Sequence, residues 1–278
     1  MTKFNTMKQT IKTMITIFCF LFPLFGQGGE NYKAFNRLLK QTDIESFYTV
    51  NELRALFENP LLEESGEILE RFKRKPEKNK TYEEYRSIFL KEERIKGGVA
   101  FCLENKETLK KIAKDFEIDP LIIVAIIGIE TNYGTRFAEH SVFVSLYTQA
   151  SRLPQRRAWA TKEMFEFLVY CKEEGIDPFS VEGSYAGAFG FGQFVPSSFN
   201  KLSIDYNQNG KKEPYGWEDV LGSVAYYLRE NGYPPNYHNF SFKSKAWHAI
   251  RTYNRSDHYA NTVIEFRNEL AKQVFLSI

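Results

Sequence analysis

The stretch Asp119–Gly134, DPLIIVAIIGIETNYG, constrains the chain more than any other. Nine consecutive small or apolar residues, Leu121 to Ile129, run without a charge and then meet Glu130. Asp119 is a good N-cap and Pro120 suits the first helical position, so a helix starts here. Asn132 to Gly134 reads as its end, because Gly readily takes the left-handed cap conformation. A helix apolar on every side is buried in protein. It is too short to span a bilayer, which takes roughly 20 apolar residues. A carboxylate delivered at the end of a buried helix is a candidate for a perturbed pKa and for acid/base chemistry. The plainer reading is a Glu that emerges into solvent where the helix stops.

At 278 residues the chain suits one large domain or a core with an added lobe. Residues 30–96 have apolar positions at helical spacing in a polar background: Phe35, Leu38, Leu39; Leu53, Leu56, Phe57; Ile68, Leu69, Phe72. Asn59-Pro60 interrupts them, and Lys73–Lys80, KRKPEKNK, reads as a solvated connector. Gly97-Gly98 is expected to break the chain, which places a lobe boundary between 96 and 97. Helices are expected over Val99–Phe116, Val142–Ala150, Ala158–Glu174, Trp217–Gly232, Ser244–Tyr253 and Asn261–Ile278, with a short hairpin as one reading of Tyr233–Lys243. There is no repeat and no alternating strand–helix order, so the fold class is mainly α with at most a small β element.

The N-terminus reads as a targeting segment. Lys3, Lys8 and Lys12 precede a 12-residue apolar run, Met14–Phe25, and Gly26 to Gly28 supply small residues for cleavage near Gly28. A lipid anchor would need a small residue before Cys19, where Phe18 stands. Residues 1–28 carry three Lys and no acid, so the formal +2 becomes −1 once they are removed. That balance gives no reason to expect nucleic acid or an anionic membrane face as a partner. Cys102 and Cys171 remain; outside the cytoplasm they could pair, but each sits in an apolar helical pattern that suits a buried free thiol equally well.

Four segments could carry chemistry. Glu130 alone cannot hydrolyse a glycoside by the usual route, which uses two carboxylates. Glu139 and Glu163 lie on exposed-looking patterns, so no second buried acid is expected. One carboxylate suffices where the substrate supplies its own nucleophile, acting first as acid and then as base. Gly183–Ser198, GSYAGAFGFGQFVPSS, matches neither phosphate-cradle pattern, G-x-G-x-x-G or G-x-x-x-x-G-K. Its glycines would let the backbone pass close to a helix or a ligand, and Ser184 and Gln193 could face a sugar. Asp205–Gly216, DYNQNGKKEPYG, has Asp205, Asn207 and Asn209 at alternate positions and Gly210 sixth, like the first half of a calcium loop. Gly216 stands at the twelfth position, and Asp219 three residues on could reach back as the missing ligand. A polar turn needs the same residue types. Tyr253–Tyr259, YNRSDHY, could be a turn between helices or a sugar-contacting group.

Taken together, IIVAIIGIETNYG, LPQRRAW, GSYAGAFGFGQFVPSS, the DYNQNG loop leading to WEDVLGSVAYYL, and RTYNRSDHY resemble, in order, the lytic murein transglycosylases of the membrane-bound type B family. The resemblance covers roughly Tyr82 to Tyr259 and implies a lysozyme-like fold, with a helical catalytic core over 97–278 and a helical N-terminal lobe over 29–96. It implies Glu130 as the acid/base, Ser184 as orienting the substrate's N-acetyl group, and Gln193, Arg156 and Arg157 as groove-lining. It places Asn254 and Tyr259 near the catalytic centre. It implies a structural calcium ion on Asp205, Asn207, Asn209, Lys211 and Asp219, with no cofactor for catalysis. The implied substrate is the peptidoglycan glycan strand, cleaved between N-acetylmuramic acid and N-acetylglucosamine with a 1,6-anhydro product. A periplasmic monomer, associated with membrane surface or wall machinery at most peripherally, is the accompanying expectation.

Overall fold

Asp119 and Pro120 start the central helix in the structure as they do in the sequence. The computed structural model describes residues 29–74 and 80–274. The segment read as a signal therefore lies outside the described residues, as does most of the 73–80 connector. Helices α1 (Glu30–Gln41), α2 (Val50–Phe57) and α3 (Gly66–Lys73) come first, with a 3-10 turn over Ile44–Ser46. Thr49 caps α2 in a full capping box with Glu52, and Ser65 caps α3. Then come α4 (Tyr82–Phe89), α5 (Glu92–Glu104), α6 (Lys106–Phe116) and the central helix α7 (Pro120–Thr131). After them lie α8 (Val142–Arg152), α9 (Arg157–Glu174), α10 (Pro196–Leu202), α11 (Trp217–Glu230), α12 (Lys245–Tyr253) and α13 (Asp257–Val274). Among the described residues the strands are one antiparallel pair, β1 (His140–Ser141) with β2 (Glu182–Gly183), extended by single bridges from Phe189 to Gly183 and Phe194.

The helices gather around two centres that share one hydrophobic core. Helix α7 packs against α13, α5, α6 and α11, and Ile122, Ile123, Val124, Ile126 and Ile127 are fully buried. Each such side chain stabilises the fold by roughly 1.5–3 kcal/mol. Helices α8 and α9 form the second centre, with α1, α3 and α10 laid on them. The N-terminal helices divide between the two: α1 and α3 join α8 and α9, while α4 lies on α13. Tyr82 and Arg86 of α4 both bond to Glu265 of α13, at 2.6 and 2.7 Å.

Gly97-Gly98 do not break the chain. They lie inside α5, and the lobe boundary drawn there cuts a continuous helix. The pair makes room for a side chain instead of ending an element. A Cβ on Gly98 would overlap the Tyr133 hydroxyl and lie 2.6 Å from Leu270, and a Cβ on Gly128 of α7 would come 2.6 Å from the same hydroxyl. Tyr133 is thus threaded between α5 and α7, donating to Arg94 O at 3.1 Å. The break comes at Asn105, so Val99–Phe116 is parts of two helices rather than one.

The other differences are smaller. No strand forms in Tyr233–Lys243; the segment is held by single bonds such as Asn236 N to Glu117 O. Helix α13 starts at Asp257, not Asn261, which puts Tyr259 in its first turn. Asn132, not a glycine, takes the left-handed C-cap of α7. Glu163 is 2% exposed, contrary to its expected exposure. It faces Ser197 at the start of α10, whose backbone N–H and hydroxyl donate to it at 2.8 and 2.7 Å. Cys102 and Cys171 are both buried and free.

Candidate active site

Glu130 sits in the last turn of α7, and the residues after Thr131 fix its direction. Asn132, Tyr133 and Gly134 are all left-handed, with φ of 48°, 59° and 76°. Such conformations cost energy in non-glycine residues and persist only where the surroundings over-determine them. Thr131 does this here: fully buried, its hydroxyl donates to Phe191 O at 3.1 Å and accepts from Gly134 N–H at 3.1 Å. The helix end is thereby tied to the Gly-rich segment.

Tyr259 is the partner that positions Glu130. Its hydroxyl donates to Glu130 Oε1 at 2.7 Å. Tyr259 and Tyr253 lie with near-parallel rings 6.4 Å apart, and the Tyr253 hydroxyl donates to Gly192 O at 2.6 Å. Burial, with the Glu130 carboxylate beside them, raises both phenols well above their ordinary range. Both therefore keep their protons and act as donors.

These groups line a cavity of about 850 Å³ with Ser184, Gln193, Arg156 and Asn254. Ser184 anchors a tight turn: its N–H donates to Ala188 O at 2.8 Å and its hydroxyl accepts from Ala188 N–H at 3.1 Å. Gly187 in that turn has φ of 90°, and a Cβ there would lie 2.5 Å from Leu146 of α8. Its glycine is needed for conformation and for close approach to a helix. Gln193 is itself left-handed, and its amide donates to Gly190 O at 2.9 Å and towards Phe137 O at 3.5 Å. Arg156 is half-buried, donating to Gln149 at 2.7 Å with its guanidinium over Trp159 and Phe72. Burial lowers its pKa from the ordinary value.

Arg157 is not brought to the cavity. Its guanidinium donates to Ala150 O and Ser151 O and closes the end of α8. Arg71 reaches the cavity from α3 and pairs with Glu139 at 3.1 Å, while Phe72, next on that helix, packs behind the wall, edge-on to Tyr185 and under Arg156. Arg136 and Arg255 also line the wall. Gln149, fully buried, links Arg156 to Tyr185 O. No motif marks Arg71 for this cavity, because it arrives only through the packing of α3 on α8.

The 205–219 loop is folded around its own polar atoms. Asn209 N–H donates to Asp205 and Asn207, both at 3.0 Å, and Gly210 N–H to Asp205 at 2.7 Å. Asp219 is 1% exposed and accepts from the N–H groups of Tyr206, Asn207 and Glu213. Among the described residues no three His, Cys, Asp or Glu side chains converge as a metal cluster. The oxygen set of Asp205, Asn207, Asn209, Asp219 and the Lys211 carbonyl is nevertheless all hard donors, the type calcium takes. Glu213, at the ninth position, accepts from the Asn209 amide at 2.8 Å and adds a carboxylate to the five expected positions.

A family model described as Transglycosylase SLT domain matches residues 30–244. The membrane-bound lytic murein transglycosylase B of Escherichia coli K12 is 32% identical over 149 residues, 54% of this chain and 41% of that relative. The aligned part thus spans less than half of that protein's length. Among solved structures, the soluble lytic transglycosylase SltB1 of Pseudomonas aeruginosa has a TM-score of 0.79 at 26% identity, over 88% of this chain and 99% of the other. The Escherichia coli lytic transglycosylase Slt35 in complex with calcium has a TM-score of 0.78 at 21% identity, over 90% and 95%.

Proposed function

The chain belongs to the transglycosylase SLT domain family, and from that premise we propose that it is a lytic transglycosylase acting on peptidoglycan. The observation that carries the reading is Glu130, held by Tyr259 in a cavity it shares with Ser184, Gln193 and Asn254. Glu139 is the other carboxylate lining that cavity, and it is engaged with Arg71. Glu163, the buried acid, faces Ser197 and is not part of the cavity lining. One carboxylate is therefore assigned both proton transfers.

Glu130, protonated, gives its proton to the oxygen of the β-1,4 bond as that bond to the muramyl anomeric carbon breaks. The N-acetylglucosamine leaves with a free hydroxyl. Ser184 orients the N-acetyl group, which supports the electron-poor anomeric carbon. Glu130, now a carboxylate, takes the proton of the muramyl 6-hydroxyl, whose oxygen attacks that carbon and closes the 1,6-anhydro ring. The Glu is left protonated for the next turnover, and no water is consumed. Its place at the negative end of the α7 dipole is a poor one for a permanent charge, which suits a group that begins neutral. Mass spectrometry of digested wall tests the reaction type: anhydromuramyl ends are expected, and reducing ends would replace this reading with a muramidase that adds water.

The 205–219 loop would hold a calcium ion through Asp205, Asn207, Asn209, the Lys211 carbonyl and Asp219. Its two neutral carboxamides make for weak binding. The ion would brace the loop and takes no part in the proton transfers. Among the described residues no helix is long and apolar enough to cross a membrane. Export directed by the N-terminal segment, with action on the wall as a monomer, completes the reading.

A further inference from the structure

A second cleft, of about 640 Å³, shares Phe137 with the Glu130 cavity. Phe137 and Tyr215 form its rim, with ring centroids 5.4 Å apart, and Phe191 stands 5.6 Å from Tyr215. Glu174, at the end of α9, and Glu182, on β2, face into it. Neither carboxylate has a hydrogen-bond or ion-pair partner among the described residues, and the side chain of Lys211, also in the lining, has none either. Two unpartnered carboxylates beside aromatic faces favour a cation, whose charge they would balance.

The two clefts adjoin. Glu182 lines the second and Gly183, next on the same strand, lines the first, while Phe137 belongs to both. A ligand seated by Glu130 and carrying a flexible branch could lay that branch in the adjoining cleft. Three extended residues span roughly 10 Å.

We propose that this cleft binds the peptide stem of the glycan strand being cleaved, with the ammonium of its diamino acid between Glu174 and Glu182 and a stem carboxylate on Lys211. The inference rests on the peptidoglycan reading above. It makes the stem a second point of recognition, on a wall supplied in part by the 211–216 segment that continues the calcium-type loop.

Calorimetric titration of the full chain with a free stem tetrapeptide tests it without any need for turnover. Acetylating the peptide's amine, or the double substitution Glu174→Gln with Glu182→Gln, should each weaken binding about 10-fold or more. Absence of saturable binding, or equal affinity for the acetylated peptide, would overturn the proposal. In turnover, the double variant should show a KM raised about 10-fold on stem-bearing strands, with kcat and its activity on stem-free strands unchanged. An equal change on both substrates would also overturn it. If the wild type cleaves neither kind of strand, the glycan-cleaving reading falls, while the titration still decides the cleft.

Discussion

Replacing Glu130 by Gln keeps the size of the side chain and removes its proton chemistry. The expected result is an unchanged melting temperature with wall lysis reduced about 10²- to 10⁴-fold, read by turbidity clearance. A variant that still clears wall at the wild-type rate would remove Glu130 from the mechanism. Tyr259→Phe deletes only the hydroxyl that donates to Glu130 at 2.7 Å. A hydrogen bond to a charged group contributes about 1.5–3 kcal/mol, so kcat should fall about 10- to 100-fold with KM little changed. Glu163 predicts a pH effect on stability. Burial holds its carboxyl above the ordinary value of 4.5, against two hydrogen bonds from Ser197 that pull the other way. A raised folded-state pKa means the neutral acid is the better-tolerated form. Its contribution is then fullest below about pH 4.5 and is lost as pH rises through the folded pKa. The melting temperature of wild type minus that of Glu163→Gln should therefore fall between pH 4 and pH 7, and a constant difference would contradict the argument. At this scale Glu130, Ser184 and Gln193 are legible in the sequence because each sits in a motif. Glu163 is not, because its helix, α9, is buried on more than one side and offers no clean polar face.

At the scale of the element, the Gly97-Gly98 pair shows what a sequence cannot say about a glycine. The same dipeptide serves a break or a close approach, and only the identity of the neighbour decides. That neighbour, Tyr133, lies 35 positions away and reaches α5 because three left-handed residues turn the chain after α7. Gly98→Ala should destabilise the protein by about 1–3 kcal/mol, since the added methyl meets the Tyr133 hydroxyl and Leu270. Thermal or denaturant melting would check it, and a neutral result would mean that Tyr133 can be displaced at little cost. The central helix itself is legible from its cap, its apolar run and its stop. The boundaries of α5, α6 and α13 are not: Asn105 joins α5 to α6 without a side-chain capping bond, and α13 begins after Ser256, whose hydroxyl accepts from Tyr259 N–H at 3.4 Å.

For the whole molecule, the calcium-type loop gives a measurable coupling. Calcium should raise the free energy of unfolding by RT ln(1 + [Ca²⁺]/Kd) and the melting temperature with it, and Asp205→Ala should abolish the rise while leaving lysis at low temperature largely intact. A metal-independent melt in the wild type would show that the loop closes on its own hydrogen bonds. The mainly helical fold with a residual β pair is legible from patterning. The shape of the candidate cavity is not, since α3 supplies Arg71 to a wall that Glu130 of α7 also lines.

The packing of α1 on α8 and α9 has a consequence for the order in which the chain can fold. Arg37 donates to Ala150 O, Tyr48 to Leu168 O and Tyr147 to Asn31, contacts that each span more than a hundred residues. A growing polypeptide makes α1 early and its partners much later. The first helix must therefore wait, with Ala34, Phe35 and Leu38 uncovered, until synthesis has passed the end of α9. Loop-closure entropy makes such pairings slow to form. A helix made before its partners is thus among the last to be locked, and during that interval the nascent chain presents its apolar stripe to whatever holds unfolded proteins in the cell.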